Sequence, residues 1–213
     1  MKECKKTKED YNKGVDWHIQ KSYSYDWRKQ LDRFIERLHG NQVLDAGCGG
    51  GRDIAEFIKR GINVEGLDYS HKTIKKCSEK FPGVMFYEGD IRKMNVQDHE
   101  YNGLWACASL LNIEKSEVLI VLSEFRRVLK TDGILFISVK EGKGEEMIAD
   151  QAGERFFSFY SADELKSLVE KAGFKVMKIQ IVPDADLTGK LPKQANPSWI
   201  CLYAVNFSKS LIS

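Results

Sequence analysis

Three acidic residues and a run of glycines are the positions of this chain best suited to chemistry. The segment Asp45-Ala-Gly47-Cys48-Gly49-Gly50-Gly51-Arg52 concentrates glycine directly after a short apolar run. Without Cβ atoms such a loop turns sharply and lets a ligand lie against main-chain atoms. The dinucleotide fingerprint GxGxxG asks for Gly or Ala where Arg52 stands, and no Gly-Lys-Ser/Thr follows as a phosphate-cradling P-loop requires. Asp45 occupies a place where a dinucleotide fold carries an apolar residue, and an acid there suits a ligand bearing a cation. Asp68 ends the next apolar run, where two carboxylate oxygens match two adjacent ribose hydroxyls. Asp90-Ile91 follows the third run, an acid for an exocyclic amine beside an aliphatic for a purine face. Together these positions describe adenosine with a cationic tail.

The elements that must position these residues alternate. Short apolar runs at Asn41–Ala46, Ile62–Leu67, Val84–Tyr87, Gly103–Ala108 and Gly133–Val139 lack clean polar alternation, as expected for strands covered on both faces. Helical spacing fills the gaps. Trp27, Leu31, Phe34, Ile35 and Leu38 share one face, and the strongest stripe runs from Val118 to Leu129. Ser70 reads as an N-cap, and Ser161-Ala-Asp-Glu164 as a capping box before a helix that Gly173 stops. This repetition predicts βαβ units, a parallel sheet and right-handed crossovers. Phe174–Val182 and Ser198–Phe207 then predict a closing antiparallel pair, joined by the loop Pro183–Pro197, which is too long for a tight hairpin. Ligands of such sheets bind at the carboxyl ends of the strands, where the strand order reverses.

The chain has 213 residues, 42% hydrophobic and 30% charged, which is the composition of one folded domain. Lys and Arg number 33 against 31 Asp and Glu, a net charge of +2. That balance disfavours a strongly basic nucleic-acid module or a polybasic membrane binder. No stretch has the length of a membrane span, and the start, MKECKKTKEDYNKG, is no secretory signal. The five cysteines (Cys4, Cys48, Cys77, Cys107 and Cys201) form no CxxC pair, so a disulfide framework or zinc ribbon is not expected and a reducing cytoplasm fits. The His, Cys and acidic residues show no clustering that predicts a metal site. The expected organisation is a tail with a helical lid over residues 1–40 and a single ligand-binding domain over 41–213.

On VLDAGCGGGRD at 43–53, VEGLDYS at 64–70, EGDI at 88–91 and FRRVLKTDGILFISVKEG at 125–142, the chain resembles the class I S-adenosylmethionine (SAM)-dependent methyltransferases. The resemblance covers roughly residues 25–182. WACASLLNI at 105–113 and RFFSFYSADELKSLVEKAGF at 155–174 resemble a small bacterial and archaeal branch whose substrates are largely unassigned. It implies an α/β, Rossmann-like fold with a seven-stranded, mostly parallel sheet and an antiparallel C-terminal strand. It also implies SAM as cofactor and S-adenosylhomocysteine as product. Gly47 and Gly49 would pass under the methionine and ribose. Asp45 would orient the loop or face the methionine ammonium. Asp68 would bind the ribose hydroxyls, with Tyr69 beside the adenine. Asp90 would take the adenine amine, Ile91 would pack on the ring, and Cys107 would bring backbone to the methionine end. Two positions depart from the family pattern. Thr131-Asp132-Gly133 replaces Pro-Gly-Gly before the fifth strand, and Asn112 stands where relatives often carry His.

Several positions keep two readings. Asp68 also suits a helix N-terminus, and Asp90 a loop cap. Arg52 is equally a solvated helix-start side chain or a ligand contact. Cys48 and Cys107 read as small packing residues, since no Pro-Cys nucleophile motif occurs. Lys72, Lys75, Lys76 and Lys80 read as a solvated face, and His18 and His71 as surface residues. Trp17, Tyr23 and Tyr25 fit either a lid or plain packing. The acceptor-side candidates are Asn112, Glu141 and Tyr160, none assigned as a base. Arg155, Phe156, Phe157, Phe159, Lys140 and Trp199 could line the same cleft. The sulfonium already activates the methyl, so alignment and desolvation of the acceptor can supply much of the rate. A small-molecule acceptor is favoured by the charge balance. The alternatives are an RNA (tRNA) methyltransferase, a SAM- or nucleotide-binding module without turnover, and an NAD-dependent oxidoreductase, which Arg52 and Asp45 oppose.

Overall fold

A computed structural model describes residues 13–151, 153–189 and 198–207. Cys4, the tail before residue 13 and residues 190–197 of the long loop lie outside them. The chain opens with two helices, α1 (Val15–Ser22) and α2 (Arg28–Ile35). There follow β1 (Gln42–Ala46), α3 (Arg52–Lys59), β2 (Asn63–Asp68), α4 (His71–Lys80), β3 (Phe86–Glu88) and β4 (Tyr101–Cys107). The second half holds α5 (Val118–Val128), β5 (Leu129–Lys140), β6 (Glu145–Asp150), β7 (Gly153–Ser158), α6 (Ala162–Lys171), β8 (Phe174–Val182), α7 (Asp184–Thr188) and β9 (Trp199–Asn206).

Seven strands form one sheet in the order β3-β2-β1-β4-β5-β9-β8. The first five are parallel; β9 is antiparallel to both neighbours. The α/β class, the mostly parallel sheet and the antiparallel last strand are those expected. The chain leaves β1 in one direction for β2 and β3 and returns on the other side for β4 and β5. The reversal therefore lies between the carboxyl ends of β1 and β4, where a crevice opens.

The centre of the sheet explains why these runs are strands. Val43, Leu44, Leu104, Trp105, Leu135, Phe136 and Ile137 are all fully buried, because helices cover both faces. Trp105 stacks on Phe136 with centroids 3.8 Å apart, and Phe34 of α2 and Phe57 of α3 meet the Trp105 ring edge-on. Helix starts follow their caps. Ser70 accepts from the Thr73 amide at 3.3 Å and Ser161 from the Glu164 amide at 3.2 Å.

Two elements form without a periodic signal of their own in the sequence. Helix α1 is mostly polar and gives no apolar stripe, yet it forms and packs over the glycine loop; Tyr23, just past its end, donates to the Gly50 carbonyl at 3.1 Å. The hairpin β6–β7 forms a separate two-stranded ribbon where only cleft-lining side chains were expected. The lysine face of α4 is also not simply solvated: Lys76 pairs with Asp16, and Lys80 meets the Tyr23 hydroxyl.

Candidate active site

A cavity of 270 Å³ opens at the carboxyl ends of β1, β2 and β4. Its floor is the glycine loop. The Gly47 and Cys48 amides both donate to the Leu67 carbonyl, at 2.7 and 3.0 Å, so the loop is pinned to the end of β2. Gly49 sits at φ 50°, and a Cβ built there meets nothing within 4 Å. The loop thus presents bare backbone and open space. Gly47, at φ 91°, is constrained differently, since a Cβ would fall 2.5 Å from Ser109 Cβ.

Asp68 ties the loop from the other side. One oxygen accepts from the Gly49 amide at 3.1 Å and the other from the Ser70 amide at 2.9 Å. The helix-start and loop-organising readings therefore coexist with its place on the cavity wall, beside Tyr69 and Ile91. Asp90 also lines the wall, and its carboxylate is forked by Arg92, with Nη2 at 2.6 Å and Nε at 3.0 and 3.2 Å. Cys107 lines the wall as well; burial pushes its thiol well above its ordinary range, which fits a packing role.

Asp45 is 2% exposed and stands behind the loop, off the cavity wall. Its Oδ2 has no hydrogen-bond partner among the described residues. Burial, then the charge of Asp53, raise its carboxyl well above the usual range. Glu141 and Tyr160 are likewise outside the lining; they pair with each other in a short bridge. Asn112 does line it, and its amide donates to the Phe156 carbonyl at 2.7 Å, tying the end of β4 to the hairpin.

Sequence reasoning left Arg52 undecided and placed His18 at the surface. Both line the cavity, and His18 is only 8% exposed. Arg52 forks onto its own neighbour Asp53 at 2.7 and 2.6 Å, reaches Cys107 Sγ at 3.2 Å and donates to the Ser22 carbonyl at 3.2 Å. A solvated Arg52 is excluded by these contacts. Ala108 was also missed. It takes φ 59°, rare for a residue with a Cβ, while its amide bonds Ser138 Oγ at 2.9 Å. The signal available was its position, directly after β4.

The outer wall is aromatic and cationic. Tyr25, Trp27, Phe157 and Trp199 line it with Lys21, Lys140 and Arg155. Trp17 and Tyr23 do not. Lys140 and the Trp199 indole both reach Asp184 Oδ1, at 2.7 and 2.8 Å. Lys21 and Arg155 both reach Asp150 Oδ2, at 3.4 and 2.6 Å.

Residues 43–133, from β1 into β5, match the family described as "Methyltransferase domain". Over 152 residues the chain is 29% identical to phosphoethanolamine N-methyltransferase 1 of Zea mays, covering 66% of this chain and 30% of that protein. Over 114 residues it is 31% identical to demethylmenaquinone methyltransferase of Thermotoga maritima, covering 52% and 48%. The chain thus spans less than half the length of these two curated relatives. In fold it is similar to 1,6-didemethyltoxoflavin-N1-methyltransferase of Burkholderia thailandensis, solved with S-adenosylhomocysteine. That likeness has a TM-score of 0.74 and 22% identity, over 94% of this chain and 85% of that one. Strand order and glycine loop agree with the family match: residues 43–133 form a methyltransferase domain within a Rossmann-like α/β fold.

Proposed function

We propose that the chain transfers a methyl group from SAM to a small-molecule acceptor. One observation carries this reading: the cavity runs without interruption from the bare glycine floor to the aromatic outer wall. A site that only bound a nucleoside would need the first half and not the second. At 270 Å³ the cavity falls just below the usual range of ligand pockets, about 300–1,000 Å³. The even charge balance, +2 over the chain, favours a compact acceptor over an RNA.

The residues fit the cofactor. Gly49 leaves room for a ligand against the backbone, under the ribose and methionine together with Gly47. Asp68, whose two oxygens accept the Gly49 and Ser70 amides, is held at the cavity wall where its carboxylate faces the ribose hydroxyls. Tyr69 and Ile91 flank the adenine. Asp90, on the cavity wall next to Ile91, faces the adenine amine. Cys107 lines the methionine end. Asp45 stands behind the loop, where its carboxyl orients the loop or faces the methionine ammonium of the bound cofactor. When bound, SAM supplies a methyl already activated by its sulfonium. The chain's own part is to exclude water and align the acceptor, with α1 acting as the lid over the loop. Asn112 sits nearest this work of the three acceptor-side candidates. Glu141 and Tyr160 would act only by holding the neighbouring backbone. The four described cysteines are free and buried.

Calorimetry with SAM, S-adenosylhomocysteine and NAD tests the cofactor. Tight binding of the first two and none of NAD is expected. Incubation with methyl-labelled SAM and a metabolite extract, with tRNA in parallel, tests the acceptor class. Label in tRNA and in no metabolite would overturn the small-molecule reading.

A further inference from the structure

The outer wall of the cavity carries three cationic side chains on separate elements: Lys21 at the end of α1, Lys140 at the end of β5 and Arg155 on β7. Their described partners Asp150 and Asp184 are not among the lining residues. The lumen therefore faces ammonium and guanidinium groups, each paired with one of these carboxylates. Lys140 and Arg155 are almost fully covered, with 13% and 11% of their side chains exposed. Burial lowers the Lys21 pKa, and the neighbouring Arg155 lowers it further, so the two cations repel across the mouth. Lowering by burial also acts on Lys140, with Asp184 opposing it.

The same side chains sit over rings. Lys140 Nζ lies 4.0 Å from the Trp199 centroid and the Arg155 guanidinium 5.0 Å from that of Phe157. Trp199 is itself held edge-on by Tyr25 and Trp27, at 5.7 and 5.1 Å. The wall is thus apolar and rigid with positive charge set into it. Such a surface favours a flat apolar ligand carrying one negative group, and rejects amines by like-charge contact.

We propose that the methyl acceptor is an aromatic or similarly flat carboxylate, and that Arg155, Lys140 and Lys21 select it. The proposal rests on the methyl-transfer reading. Arg155 supplies a planar fork suited to a carboxylate.

The test uses the full chain saturated with S-adenosylhomocysteine, titrated with matched pairs: benzoate and benzamide, indole-3-acetate and indole-3-acetamide, with benzylamine and phenyl phosphate as further arms. Ligand-observed NMR or calorimetry reads affinity. The acids should bind at least about tenfold tighter than their amides. In Arg155→Gln and in the exposed, milder Lys21→Gln, that preference should shrink toward parity. Arg155→Lys should restore part of it. Equal binding of acid and amide, or preference for benzylamine or phenyl phosphate, overturns the proposal. S-adenosylhomocysteine affinity should stay within about threefold in both Gln variants. If it falls tenfold while 5′-methylthioadenosine, which lacks the amino-acid end, binds as before, the cations serve the cofactor and the proposal fails. If the wild type binds no S-adenosylhomocysteine, the methyl-transfer reading fails instead, whatever the acids do.

Discussion

Arg52 and Asp53 are neighbours in sequence and form a closed ion pair at the first turn of α3, two contacts at 2.7 and 2.6 Å. The Trp105 indole donates to the same Asp53 oxygen at 2.8 Å, so the pair is anchored to the core of the sheet. Burial works against the Arg52 charge, and Asp53 together with the other neighbours more than offsets it, so the guanidinium stays protonated. Asp53→Ala would strand this cation beside the cavity. The expected loss is about 3–5 kcal/mol of stability, read by urea unfolding with and without S-adenosylhomocysteine. A loss below about 1 kcal/mol, the range of an exposed pair, would mean that Arg52 finds another partner or water.

Asp45 gives a pH signature. Its folded-state carboxyl titrates well above the usual range because it is buried and faces Asp53. The unfolded chain loses this proton near pH 4, while the folded chain keeps it. Folded protein therefore binds more protons in that window, and stability falls as pH rises from about 4 toward the raised value. Asp45→Asn removes the titration. The Tm of the variant should gain on the wild type steadily above pH 4. A constant difference from pH 4 to 8 would show that Asp45 is ionised in the folded state.

Gly49 separates folding from binding. Alanine at its φ of 50° costs about 1–2 kcal/mol of backbone strain, but the new methyl strikes no protein atom within 4 Å. It would project where the cofactor is proposed to pass. Gly49→Ala should lower Tm by a few degrees and abolish S-adenosylhomocysteine binding in calorimetry. Retained affinity would move the cofactor off the loop. Gly47→Ala, by contrast, should damage folding itself, because Ser109 occupies that space.

The parts legible in the sequence were those whose signal is local. The parallel strands are apolar runs, β1, β2 and β3 ended by a glycine or an acid, and Ser70 and Ser161 cap the helices their spacing announced. The site residues that follow strand ends were legible for the same reason. Arg52 was not, because what buries it comes from far along the chain: the Ser22 carbonyl after α1 and Cys107 at the end of β4. Helix α1 has no apolar stripe to announce it and is held by contacts to the loop and α4. The β6–β7 ribbon is half-exposed, and Glu145–Asp150 carries too many charged residues to read as a strand. Its cross-strand partner and Asn112 supply what its sequence does not.

Asp184 offers a last test of the outer wall. Its Oδ1 receives Lys140 and the Trp199 indole, and its charge also acts on Tyr25. Burial first, then Asp184, push the Tyr25 hydroxyl up to about 12. Asp184→Asn removes the second cause and leaves the first. The Tyr25 pKa should then fall but stay above 10, its ordinary value. Ultraviolet titration of wild type and variant, each differenced against its Tyr25→Phe counterpart, isolates this one phenol. The same substitution leaves the Lys140 ammonium covered without its carboxylate. Its pKa, already lowered by burial, should drop further, and the wall should lose charge at alkaline pH earlier than in the wild type. An unchanged Tyr25 titration would show that the carboxylate is not where these contacts put it, and would remove Lys140 from the set of cations held by a carboxylate partner.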